Sequence, residues 1–176
     1  TSCDRIYHPP SNSGLQMLNI VTVDLGAELF EDQIASTSVL ADGETVYSSK
    51  ENLYVATTEW VDERKLLTDR QTNSERPKVS TWIHKFDISD PISTFYRSSG
   101  QVTGTVLNQY SMSEFEGHLR VATTDHGWWT QQQDAISESY VTVLEDIDGE
   151  LAEIGRVGNL GKGERIYAVR FLGDLA

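Results

Sequence analysis

From Leu15 onward, short runs of alternating or continuous apolar residues are separated by Gly, Asp, Asn and Ser. Val, Ile, Thr, Tyr and Phe dominate these runs, and such side chains suit the pleated, half-buried surface of a strand. The pattern therefore predicts strands and turns, with weak helix signals throughout. One run is written almost twice, LYVATT at 53–58 and LRVATT at 119–124. Each copy follows a short turn (Glu51-Asn52, Gly117-His118) and a preceding strand-like run. A third such run, IYAVRFLGDLA, ends at Ala176, with Gly173-Asp174 where the turn should fall.

The rest of the unit repeats as well. MLNIVTVDLG from Met17, TWIHKFDIS from Thr81 and SYVTVLEDID from Ser139 are apolar runs closing on an acid, with Asp24, Asp87 and Glu145 at corresponding positions. Each is followed by a turn and a further strand, ELFEDQIASTSV, STFYRSSGQV or ELAEIGRVG. The period is about sixty residues with four strands in it. A four-stranded antiparallel unit repeated head to tail predicts an all-β propeller segment, in which each unit is a blade and neighbouring blades bury each other's faces.

Counted in blades, residues 1–14 form a connector containing Pro9-Pro10, and 15–43 supply the last strands of one blade. Residues 44–108 and 109–163 each make a complete blade, and 164–176 open a further one. Fewer than four blades make an incomplete ring, so the chain is expected to be part of a propeller. Residues 61–67 and 131–136 offer at most one or two helical turns inside loops.

Composition narrows the reading. The 176 residues are in the range of one domain, and 38% hydrophobic content supports a sizeable core. A net charge of −13 excludes nucleic acid and anionic membrane as main partners, since both demand a basic surface. No run of apolar residues is long enough to span a bilayer. The single cysteine, Cys3, either pairs outside this stretch or is a buried thiol.

At SGLQMLNIVTVDL, DGETVYSSKENLYVATT, TWIHKFDIS, GTVLNQYSMSEFEGHLRVATT and GKGERIYAVRFLGD, the chain resembles secreted bacterial and archaeal proteins with a C-terminal beta-propeller domain distantly related to WD repeats. Members of that family are much longer, with blades on both sides of this segment. The resemblance implies export, to an extracellular or cell-surface location, and a propeller fold. It implies no reaction.

Two insertions, 59–80 and 125–138, fall at the same place in the repeat, between the second and third strands. In an antiparallel blade that puts both on one face of the disc, where loops on a rigid scaffold commonly bind ligands. The first carries Trp60, Asp62, Glu63 and Arg64, and the second carries Asp125, His126, Gly127, Trp128 and Trp129. Tryptophan beside carboxylate suits a sugar, because the ring stacks on the apolar face of a pyranose and the carboxylate accepts its hydroxyls. The more ordinary role for Trp128 and Trp129 is to pin the loop against the blade edge. Asp125, His126, Trp128, Trp129 and Trp60 are thus the candidate ligand-binding residues.

Asp146, Asp148 and Glu150 alternate around a glycine in EDIDGE, an acidic loop of the kind that supplies oxygen ligands to calcium. Asp148-Gly149 is equally a hairpin turn, and the full calcium-loop spacing is missing. No other cofactor is expected. His8, His84, His118 and His126 form no ligand set, and His84, mid-strand, reads as a satisfied core residue. HExxH, CxxC, phosphate-loop and GxSxG motifs are all missing, and Gly161-Lys162-Gly163 reads as a connector.

The leading expectation is an extracellular binding or scaffold domain without catalysis, completed by remaining blades or a second chain, with polysaccharide as a ligand class. The alternative is a carbohydrate-active or other hydrolytic enzyme with carboxylates at the centre of the ring. A calcium-stabilised surface module is the third.

Overall fold

The computed structural model describes residues 3–9, 14–28, 34–59, 79–126 and 136–175. Twelve strands occur among them, β1 (Ile6–Tyr7), β2 (Met17–Val23), β3 (Ile34–Leu40), β4 (Thr45–Ser48), β5 (Asn52–Glu59), β6 (Ser80–Asp87), β7 (Phe95–Thr103), β8 (Thr105–Val106), β9 (Met112–Phe115), β10 (His118–Asp125), β11 (Glu138–Ile147) and β12 (Glu150–Leu160). Helical structure among the described residues is limited to 3-10 turns at Cys3–Arg5 and Gln109–Ser111. One sheet has the order β1-β3-β2, and the other runs β4-β5-β6-β7-β12-β11-β10-β8 with β9 also on β10.

The repeated strands sit in the same register. Val55 of LYVATT faces Val46 across β5 and β4, and Val121 of LRVATT faces Met112 across β10 and β9. One position earlier on the repeated strand, Tyr54 faces Tyr47 while Arg120 faces Ser113. The turn before LRVATT is centred on Glu116-Gly117, one residue ahead of the expected pair. Both residues lie in the left-handed region, φ 51° and 82°, the combination of a type I′ hairpin. Asp148 and Gly149, φ 52° and 87°, repeat it between β11 and β12.

The chain forms two compact units, 1–57 with 82–100 and 145–152, and 58–81 with 101–144 and 153–176. In the first, β2 pairs antiparallel with β3 from Met17↔Leu40 to Val23↔Ile34. The expected connector also contributes structure, since β1 pairs in parallel with β3 at Ile6↔Ser38 and Tyr7↔Val39. Strand alternation turns Leu18 and Ile20 inward, where they pack with Tyr7, Leu53 and Tyr96 on Val39, Ala41, Val55 and Phe86. Met17, Val21 and Val23 point the other way and are exposed, so β2 is apolar on both faces. Cys3 is an exposed free thiol, which overturns the buried alternative.

His84 is buried in this unit, with its ring centroid 6.2 Å from that of Tyr96. It is not satisfied as expected, because neither ring nitrogen has a hydrogen-bond partner among the described residues. Burial lowers its pKa from 6.5 to about 4 and keeps the imidazole neutral.

The repeated acid ending the apolar run has a local task. Asp24 Oδ1 accepts the Gly26 amide at 2.8 Å and Asp87 Oδ1 accepts the Ser89 amide at 2.9 Å, each closing an Asx turn after its strand. The Ser89 hydroxyl and then Arg97 hold the Asp87 carboxyl down to about 2. Glu145, the third copy, lies inside β11, which continues to Ile147.

In the second unit β10 pairs with β11 from Leu119↔Leu144 to Asp125↔Glu138. Val79, Val102, Met112, Leu119, Val121, Ala122, Tyr140 and Leu144 are buried there. Gly104, φ 88°, donates its amide to the Val79 carbonyl at 2.6 Å, and its own carbonyl accepts from the Thr81 hydroxyl at 2.7 Å. A Cβ at Gly104 would meet the Thr124 carbonyl carbon at 2.8 Å, so only glycine fits the approach.

Residues 164–171 form no strand, unlike the third strand-like run expected there. Among the described residues no strand pairs with them, and backbone without a ladder must satisfy its polar groups elsewhere. The expected turn at Gly173-Asp174 is present, closed by Leu172 and Leu175 through reciprocal backbone bonds of 2.9 and 3.0 Å.

Candidate functional site

The sequence ends β10 with a buried Asp125 and opens β11 opposite it, so the residues just outside this pair, His126 and Ser137, emerge together at one end of the ladder. After β12 the chain reverses through Gly161-Lys162-Gly163, with both glycines left-handed at φ 54° and 83° and the Glu164 amide bonded to the Gly161 carbonyl at 2.8 Å. That reversal brings the chain back to Ser137. The Gly163 amide donates to the Ser137 carbonyl at 2.9 Å, and the Ser137 hydroxyl donates to the Glu164 carbonyl at 2.9 Å. Two residues on, the Ile166 amide donates to Thr124 Oγ1 at 3.2 Å, and that hydroxyl is 3.1 Å from Ser139 Oγ.

These bonds frame an open cleft of 480 Å³ lined by His126, Ser137, Gly163, Glu164, Arg165 and Tyr167. The volume falls within the roughly 300–1,000 Å³ of small-molecule sites. The Arg165 guanidinium lies 4.9 Å from the Tyr167 ring centroid, a cation–π pair that orients both side chains. Tyr167 remains 71% exposed. Its ring is therefore available to stack, beside one carboxylate, one guanidinium and one imidazole.

Beside the cleft, Glu138 fixes the start of β11 from both oxygens. Oε1 accepts the Asn159 amide at 2.8 Å and Oε2 accepts the Tyr140 hydroxyl at 2.7 Å. Arg156 stacks on the Tyr140 ring at 5.6 Å and donates to Thr103 Oγ1 at 3.2 Å.

Of the residues singled out by sequence, His126 lines this cleft, and Asp125, the residue before it, is buried. Trp60, Trp128 and Trp129 lie outside the described residues, as do 61–67 and most of both insertions. Asp146 is 3.1 Å from Lys85 Nζ, Asp148 occupies the left-handed turn and Glu150 is exposed at the start of β12. Among the described residues, no three His, Cys, Asp or Glu side chains gather as a metal site. Sequence reading missed Ser137, Glu164, Arg165 and Tyr167. The signal for them was Gly161-Lys162-Gly163, whose two glycines permit a chain reversal back onto Ser137.

Residues 1–176 match the beta propeller domain family over their whole length. The chain belongs to that family. A stretch of 85 residues is 42% identical to an uncharacterized protein of Methanocaldococcus jannaschii, covering 48% of this chain and 13% of that protein. Another of 74 residues is 40% identical to an uncharacterized protein of Archaeoglobus fulgidus, covering 42% and 10%. The matches thus take in only a small part of each relative's length. No solved structure matches the chain. Among the described residues, no helix of this propeller segment is long and apolar enough to cross a membrane.

Proposed function

We propose that this propeller segment is a binding module without catalysis in an exported protein, and that the cleft at His126 and Tyr167 holds a sugar ring of a polysaccharide. The observation that carries the reading is the exposed Tyr167 ring, paired with Arg165 in the lining of an open cleft. An aromatic face stacks on a pyranose, while Glu164, Arg165 and His126 supply acceptors and donors for its hydroxyls. Export is supported by the resemblance to secreted propeller proteins. Further blades, in the same chain or a second one, are supported by β2, whose exposed Met17, Val21 and Val23 face is apolar like its buried one.

Electrophoresis through gels containing a soluble glucan, a xylan or a polyuronate tests this reading. Retardation in at least one gel, lost in Tyr167→Ala without a change in Tm, is the expected result. Equal mobility of the wild type in every gel, or equal retardation of both proteins, contradicts it.

A further inference from the structure

We propose that Arg120, outside the cleft lining, is the positioning residue that holds residues 164–173 as a strap along β10 and thereby sets the cleft wall formed by Glu164, Arg165 and Tyr167. The inference rests on the binding role proposed for that cleft and adds what controls it.

Arg120 and Thr124 are four residues apart on β10 and share one face of the strand. Thr124 accepts the Ile166 amide, and Arg120 donates through Nη1 to the Gly173 carbonyl at 2.7 Å. The contacts follow in reverse order, so the strap runs antiparallel to β10 and is tied at both ends. Ala122, between the two on the same face, is only 2% exposed. Around the guanidinium, the Phe171 ring centroid from the strap and the Phe115 ring centroid from β9 are each 4.8 Å away. Nη2 donates to Ser113 Oγ at 3.0 Å, joining the same cation to the neighbouring strand.

The sheet itself does not require a cation here. At the corresponding position of the other repeated strand stands Tyr54, stacked on Tyr47 with centroids 5.9 Å apart. The arginine serves what lies on β10 in this copy. The strap has no ladder of its own, so its course from Ile166 to Gly173 depends on side-chain ties, and Arg120 supplies the only cation among those described. Loss of that clamp frees the Gly173 end and leaves the Ile166–Thr124 bond to hold the other, where Arg165 and Tyr167 flank Ile166.

Hydrogen exchange of wild type, Arg120→Ala, Arg120→Lys and Phe171→Ala tests the proposal, together with gel retardation by the same soluble glucan, xylan and polyuronate. In R120A and F171A the Ile166 amide is expected to exchange at least tenfold faster while Val141 on β11 is unchanged. Polysaccharide affinity falls several-fold, and R120K, which keeps the charge but not the planar fork, recovers part of both. F171A cuts the clamp from the strap side and decides the matter if R120A does not fold. Wild-type exchange at Ile166 in F171A and R120K overturns the proposal whether or not any polysaccharide binds. Fast exchange with undiminished retardation also overturns it, since the strap would then not shape the cleft. Lack of wild-type retardation defeats the binding role instead, and Ile166 exchange still decides whether Arg120 orders the strap.

Discussion

Gly100 faces Leu151 so closely that a Cβ on the glycine would lie 2.1 Å from the Leu151 carbonyl oxygen. The contact sits where β7 and β12 meet in parallel at Ser99↔Glu150, and there only a bare Cα lets the backbones approach. Gly100→Ala must therefore push the two strands apart. We expect a loss of about 3 kcal/mol, read from the urea midpoint. An unchanged midpoint would show that the approach is looser than this.

Buried His84 makes stability fall in acid. Its folded pKa of about 4 lies below the unfolded 6.5, so between those values the unfolded chain binds a proton that the folded chain refuses. The contribution is complete above pH 6.5 and is lost as pH falls toward 4, by roughly 3 kcal/mol in all. In His84→Leu that window should be flat relative to wild type. Equal pH slopes for the two proteins would rule His84 out as the cause.

Glu116 occupies a left-handed position, φ 51°, that costs a branched or long L-residue strain and suits asparagine. Glu116→Asn should raise stability by about 1 kcal/mol or less, seen as a higher Tm. A lower Tm would mean that the glutamate makes a contact worth more than the strain.

Much of the fold was legible because strands and hairpins announce themselves locally. LYVATT and LRVATT share a register as well as letters, and Asp24 and Asp87 each close an Asx turn that a shared period implies. Asp148-Gly149, weighed as a hairpin turn or a calcium loop, has the φ values of the hairpin. Pairing partners were less legible, because alternation does not say what a strand will meet. The IYAVRF run has the letters of a strand and forms none, and among the described residues no strand pairs with it. Likewise His84 has the position of a core residue, but that its ring nitrogens find no partner among the described residues depends on three-dimensional neighbours that no local pattern reports. The cleft was half legible. His126 stood out as a histidine in an elaborated loop, whereas Arg165 and Tyr167 reach it only through the fold-back at 161–163.

The most direct test of the binding account is a titration of the ¹⁵N-labelled protein with short oligosaccharides released from glucan, xylan and polyuronate, followed by amide chemical shifts. The account predicts saturable shifts for at least one series, concentrated at His126, Ser137 and residues 163–167. Shifts confined to other parts of the chain, or none with any series, would contradict it.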